Sequence, residues 1–135
     1  MEITINNARR LADIQSDFQN EYPFLKIEFY SKKHGAGAGS NKESTLDANL
    51  TIGEVSKKDA SGSISIFNDT KVSDLEEAFA DTFGLFVQVF RKSNKLWLQT
   101  TITDDWSLEK QNATAKEMNT PIIDDSEPSD IREQE

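Results

Sequence analysis

Apolar and polar side chains alternate around Ile3 and Ile5. The spacing then changes to three and four residues at Leu11, Ile14, Phe18 and Tyr22. A period of two predicts a short strand with one buried face, and a period near 3.6 predicts a helix with one apolar stripe. Alternation returns at Leu25, Ile27 and Phe29, predicting a second strand. The same succession recurs from Ile64 and Ile66, through Val72, Leu75, Phe79 and Phe83, to Leu85, Val87 and Val89.

Overlaid at a constant offset of 61 residues, as from Ile3 to Ile64, EITINNARRLADIQSDFQNEY and SISIFNDTKVSDLEEAFADTF match at every apolar anchor. Asn7 and Asp13 also meet Asn68 and Asp74, and after a one-residue slip the second strands align as well. Gly84 stands where a glycine commonly closes a helix, and Pro23 marks the equivalent boundary in the first copy. Ser73 precedes Glu76 by three residues, a capping-box spacing, with Asp69 and Thr70 as competing caps. A third strand is expected in each copy, over Leu46–Ile52 and Leu96–Ile102. In the second copy the intervening KSNK predicts a two-residue hairpin at Ser93 and Asn94, since Asn tolerates positive φ. The first copy replaces it with a longer connection from Lys33 to Thr45.

The expected fold is therefore α+β. Tandem βαββ units, pseudo-duplicated about a twofold, place two helices on an antiparallel-rich sheet. A single domain spans residues 1–112, with halves 1–55 and 62–112. The competing architecture is a ubiquitin-like β-grasp over residues 62–110, with the first sixty residues appended.

Composition adjusts this picture in three ways. The 135 residues fit one domain, with eight Phe, two Trp and two Tyr to fill its core. No apolar run approaches the ~20 residues of a membrane-spanning helix, and the start at Met1 lacks the basic and apolar regions of a secretion signal. A cytoplasmic protein is expected, in keeping with zero cysteines, which exclude disulfides and thiolate metal sites. The formal charge is −9, of which residues 113–135 carry −5 from two basic and seven acidic side chains. That stretch is expected to be an acidic disordered tail, and the overall sign disfavours nucleic acid as a partner.

The glycine-rich stretch KKHGAGAGSNK matches no phosphate-binding motif. A P-loop needs G-x-x-x-x-G-K-[ST] before a helix, whereas Gly35, Gly37 and Gly39 lead through Ser40 and Lys42 into a predicted strand. The stretch is read as an expanded hairpin tip. Lys33, His34, Gly35, Gly37, Gly39 and Lys42 remain candidate ligand or partner contacts, because long loops in small domains often carry function. His34 is the only histidine, and without cysteine a typical zinc site there would need Asp or Glu for its other ligands. No metal, cofactor or catalytic constellation is expected, which argues against an enzyme.

Strand alternation points Phe86 and Phe90 away from the core, where Trp97 on the next strand can join them, with Phe24 and Tyr30 on the matching side of the first copy. Phe86, Phe90, Arg91 and Trp97 are the candidate interface, with Lys92 and Lys95 near its edge. Asp104 and Asp105 are read as caps of a short helix carrying Trp106 and Leu108, with Trp106 as a buried lid.

The runs FGLFVQVFRKS (83–93), WLQTT (97–101), TDDW (103–106) and LEKQN (108–112), with the upstream FYSKKHGAGAGS (29–40), resemble a family of small uncharacterised bacterial proteins of the Bacteroidetes type. The resemblance covers residues 1–112 and implies no activity. The expected function is thus a non-enzymatic interaction module with a protein partner, a homodimer being one form. The alternatives are a protein that binds a small anionic ligand or nucleotide through the 33–42 loop, and an acidic decoy of a nucleic-acid-binding protein.

Overall fold

Alternation gives way to helical spacing where strand β1 (Glu2–Ile5) leads into helix α1 (Leu11–Glu21), and strand β2 (Leu25–Tyr30) follows. The second half repeats this order with β3 (Gly62–Ser65), α3 (Val72–Phe83) and β4 (Phe86–Ser93). After β2 the first half continues with a 3-10 turn (Lys42–Ser44) and a one-turn helix α2 (Ile52–Val55), and β5 (Leu96–Gln99) and helix α4 (Leu108–Asn119) complete the order. The computed structural model describes residues 1–32, 42–56, 58 and 61–119. Lys33, His34, Gly35, Gly37 and Gly39 lie outside the described residues, as does the chain beyond Asn119.

The strands form two small antiparallel sheets, β1-β3 and β2-β4-β5. Each first strand pairs with its counterpart in the other half, not with the strand after its own helix. The single sheet expected from sequence is therefore divided in two. Counterpart pairing sets Ile3 opposite Ile64, so Ile3, Ile5 and Ile64 share one apolar surface. In the larger sheet Glu28 stands opposite Gln88. Both pairs, Ile3 with Ile64 and Glu28 with Gln88, join positions that the sequence overlay matches.

The core fills the space between sheets and helices. Leu11, Ile14 and Phe18 from α1 and Val72, Leu75, Phe79 and Phe83 from α3 share one core with Leu25, Ile27, Phe29, Val87 and Val89 from the larger sheet and with Leu85 just before β4. Burying one such side chain stabilises by about 1.5–3 kcal/mol. The Phe29 and Phe79 rings meet edge to face at 6.1 Å, tying the halves together.

Backbone hydrogen bonds extend the repetition past the region where the sequence displays it. Leu11 N donates to Leu50 O at 2.9 Å, and Val72 N donates to Trp106 O at 3.0 Å. Ile52 N reaches Arg9 O at 2.8 Å, and Leu108 N reaches Thr70 O at 2.8 Å. Gly53 N bonds Asn7 O and Glu109 N bonds Asn68 O. Helix α2 is thus seated on the start of α1 as α4 is seated on the start of α3, with Ile52 and Leu108 both fully buried.

Several expectations are corrected. The strand expected at Leu46–Ile52 does not form: beside β2 there remain the isolated bridge of Tyr30 to Thr45 and the bond from Leu46 N to Phe29 O at 2.8 Å, and Thr51 makes its isolated bridge to Arg10 instead. The Asp47 side chain then accepts Asn49 N at 2.9 Å, and this local turn displaces the ladder. β5 stops at Gln99, short of Ile102, which is 93% exposed. The hairpin turn is Asn94-Lys95, one residue later than expected, because Ser93 pairs with Leu96 and Asn94 takes φ 56°. The cap of α3 is Lys71, and Glu76 is buried instead of capping. Gly84 does close α3, in the left-handed region at φ 63°.

The acidic segment expected from residue 113 is helical through Asn119. Ala113, Ala115, Lys116, Glu117 and Met118 are good helix formers, Ala115 is fully buried, and the Asn119 amide donates to Lys92 O at 2.8 Å. The structured part therefore extends seven residues beyond the predicted boundary of 112.

A candidate basic and aromatic interface

Cross-strand register assigns one face of the larger sheet. Tyr30 is opposite Phe86, Lys26 lies in a row with Phe90 and Gln99, and Lys92 is opposite Trp97. Because these rows are an even number of residues apart, their side chains emerge on the same side. Phe86, Phe90 and Trp97 are half-buried there, neither sealed nor fully open.

Two lysines converge on this row. Lys26 Nζ lies 5.0 Å from the Trp97 ring centre and 5.3 Å from that of Phe90, and Lys92 Nζ approaches Trp97 at 6.0 Å. An ammonium over an aromatic face is stabilised by the ring quadrupole, by about 0.5–1 kcal/mol where solvent reaches it. Glu28 Oε2 is 3.1 Å from Lys26 Nζ and offsets that charge locally. Lys92 has no carboxylate partner among the described ion pairs, so the row carries a positive edge.

Arg91, predicted as part of this surface, is on the opposite face. It pairs with Leu25 and Leu98 and turns toward α4. Its guanidinium carbon lies 5.8 Å from the Trp106 ring centre, and Nη1 donates to Gln111 Oε1 at 3.1 Å. Lys110 Nζ covers the same ring at 4.2 Å. Trp106 is therefore a half-buried platform for two cations and not a buried lid. Ser107, not the preceding aspartates, caps α4, its hydroxyl accepting Lys110 N at 3.1 Å.

Sequence reasoning did not find Lys26 and Lys110. The signal for Lys26 was present in LKIEFY, where the alternation that buries Leu25, Ile27 and Phe29 directs Lys26 to the aromatic side. Lys110 became visible only once the start of α4 was fixed.

A cavity of about 320 Å³ opens where β2 ends and the glycine-rich connection begins, walled by Phe29, Tyr30, Leu46, Leu50, Val55 and Phe86, with Glu54 at its rim. Burial raises the Tyr30 hydroxyl above its ordinary range, against a lowering bond to Thr45, with the Glu28 charge raising it further. The Glu54 carboxyl is held low, first by the Thr51 amide and then by the Thr51 hydroxyl. Glu54 is the charged residue among the described lining groups, so this wall suits a neutral or cationic molecule better than an anion. Lys42 is exposed at the start of the 3-10 turn, where its carbonyl accepts Thr45 N and Oγ1. The cavity does not bring Lys42 into its wall.

Among the described residues, no group of three or more His, Asp or Glu side chains is placed to hold a metal ion. No helix among them is long and apolar enough to cross a membrane. No family model, curated protein or solved structure matches the chain.

Proposed function

We propose that this chain is a non-enzymatic protein-interaction module of the cytoplasm. Its contact surface is the Phe86, Phe90 and Trp97 row with the Lys26 and Lys92 ammonium groups, recognising an acidic and apolar segment of a partner protein. The observation that carries this reading is Trp97, a large half-buried ring held between two cations on an open sheet face. Aromatic and cationic groups presented together are enriched at the energetic centres of protein interfaces. The same reading takes the two halves as copies of one ancestral unit, supported by the recurring backbone bonds that seat α2 and α4.

The test is capture of partners from lysate by the wild-type chain and by Phe90→Glu, with Phe67→Glu as a control on another exposed ring. Partners retained by wild type and by the control but lost with Phe90→Glu are expected. Identical capture by all three would overturn the reading.

The 320 Å³ cavity favours a second reading, a site for a small molecule. Its wall chemistry changes the expected ligand from an anion to a neutral or cationic aromatic compound. Such compounds should raise the melting temperature, because a ligand bound only to the folded state stabilises it. A panel that leaves the melting temperature unmoved would remove this reading.

A further inference from the structure

Among the described residues the larger sheet ends at β5, and apart from its four-residue length β5 lacks the usual protections of an edge. An exposed edge strand is a template for pairing, which proteins normally blunt with charge, proline or a bulge. LWLQ has none of these within its span. Leu96 and Leu98 are 65% and 42% exposed, and Met118 is 61% exposed beside Asn119, whose side chain holds the β4–β5 turn.

We infer that β5 pairs antiparallel with β5 of a second copy, joining the two β2-β4-β5 sheets edge to edge. This goes beyond the interaction reading above: the partner is another molecule of this chain, met at the sheet edge and not on the Phe86, Phe90 and Trp97 row. The geometry selects a register. Ser93 and Leu96 flank the two-residue turn and face each other, and Thr100 N donates to Val89 O. Alternation therefore directs the backbone groups of Leu96 and Leu98 toward β4 and those of Trp97 away from it. A twofold through Trp97 lets its N–H and C=O bond those of Trp97 in the second copy.

In that register Leu96 faces Leu98 of the second copy, and the reverse pair forms by symmetry. The four leucines make one apolar strip on one face, and Lys95 faces Gln99, so no like charges oppose each other. Moving the twofold by one residue, to Leu98, instead sets Leu96 against the buried Thr100 and leaves the apolar surface of Leu96 unmatched. Self-complementarity of this kind favours a second copy over an unrelated strand. It is also how the chain already joins its halves, through the antiparallel ladders that pair Ile3 with Ile64 and Glu28 with Gln88.

Sedimentation of the full chain over a concentration series should show a mass approaching twice 15.2 kDa. Leu98→Lys and, independently, Leu96→Lys should return it to monomer with unchanged circular dichroism. Because the chain has no cysteine, Leu96→Cys and Leu98→Cys each introduce a single thiol. Mixed and oxidised, the two variants should cross-link to each other several-fold faster than either does to itself, since facing residues lie within disulfide reach. A monomer at all concentrations, a dimer unaffected by both lysine variants, or preferential homotypic cross-linking would each overturn the pairing. Partner capture that is lost with Phe90→Glu while the chain remains monomeric would overturn it and leave the interaction reading standing.

Discussion

The two halves of the molecule protect the outer edge of their second strand by different chemistry. In the first half, the Gln15 side chain on α1 donates to Ile27 O at 2.9 Å, and Leu46 N and Ser31 N close the remaining positions through Phe29 O and Ser44 O. In the second half, β5 covers one stretch of β4, and the Glu76 carboxylate on α3 accepts Val89 N at 3.0 Å. Gln15 and Glu76 occupy equivalent helix positions. Their strand neighbours are reversed in kind, since Gln15 approaches Glu28 at 3.4 Å and Glu76 approaches Gln88 at 3.4 Å. One frame thus accepts a helix amide facing a strand acid or a helix acid facing a strand amide. The backbone pattern is kept, and the side-chain donors and acceptors are exchanged around it.

The largest disruption should come where the halves share one core. Phe18 and Phe79 are equivalent, and both are fully buried. Phe79→Ala removes the ring that meets Phe29 edge to face and should cost about 3–5 kcal/mol in urea unfolding, with Phe18→Ala in the same range. A loss confined to one of the two would show that the halves contribute unequally to the core. Next in size is the exchanged pair. Glu76→Ala withdraws the acceptor of a buried backbone N–H and should cost about 1–3 kcal/mol, whereas Glu76→Gln keeps an oxygen there and should cost less. Gln15→Ala should cost less still, because Gln15 is only half-buried. Equal losses for Glu76→Ala and Gln15→Ala would erase the difference between the two edges.

The comparison also shows what the chain discloses in sequence. The apolar anchors of both helices and second strands were legible because burial dictates their period, and the offset of 61 between Ile3 and Ile64 became a physical pair in the β1-β3 ladder. The α2 and α4 correspondence was not legible. Thr51-Ile52 and Ser107-Leu108 align only after a gap, and their shared role rests on backbone bonds to the segments before α1 and α3. Division into two sheets was hidden for a similar reason, since alternation assigns a face but not a neighbour. Arg91 was misplaced because its polarity suggested solvent, while the register places it on the core side, over Trp106.

A smaller effect is expected at the β4–β5 hairpin. Asn94 adopts φ 56°, where a β-carbon is disfavoured and Asn is better tolerated than most residues. Asn94→Ala should lower stability by about 1 kcal/mol, and Asn94→Gly should hold it near the wild-type value. If Asn94→Ala is neutral by thermal unfolding, the turn does not depend on this conformation.

The smallest predicted difference is between the caps of α2 and α4, and it should be visible in pH. At α2 the third helical residue is Glu54, whose carboxylate accepts Thr51 N at 2.8 Å and Thr51 Oγ1 at 3.1 Å. At α4 the equivalent residue is Lys110, and the cap is the Ser107 hydroxyl alone. Both Thr51 bonds favour the ionised carboxylate, with the amide the larger influence, so the Glu54 pKa lies below its ordinary value of 4.5 in the folded chain. A depressed folded pKa adds stability above the unfolded pKa and loses it as pH falls through the folded one. The α2 cap should therefore weaken on acidification below the ordinary glutamate range, while the Ser107 cap stays constant there. A carboxyl NMR titration should place the Glu54 midpoint below 4.5, and Thr51→Val, which removes the hydroxyl but keeps the amide, should raise it part of the way back. A wild-type midpoint at or above 4.5 would mean that the acid does not hold this cap, and that α2 and α4 are closed by the same means.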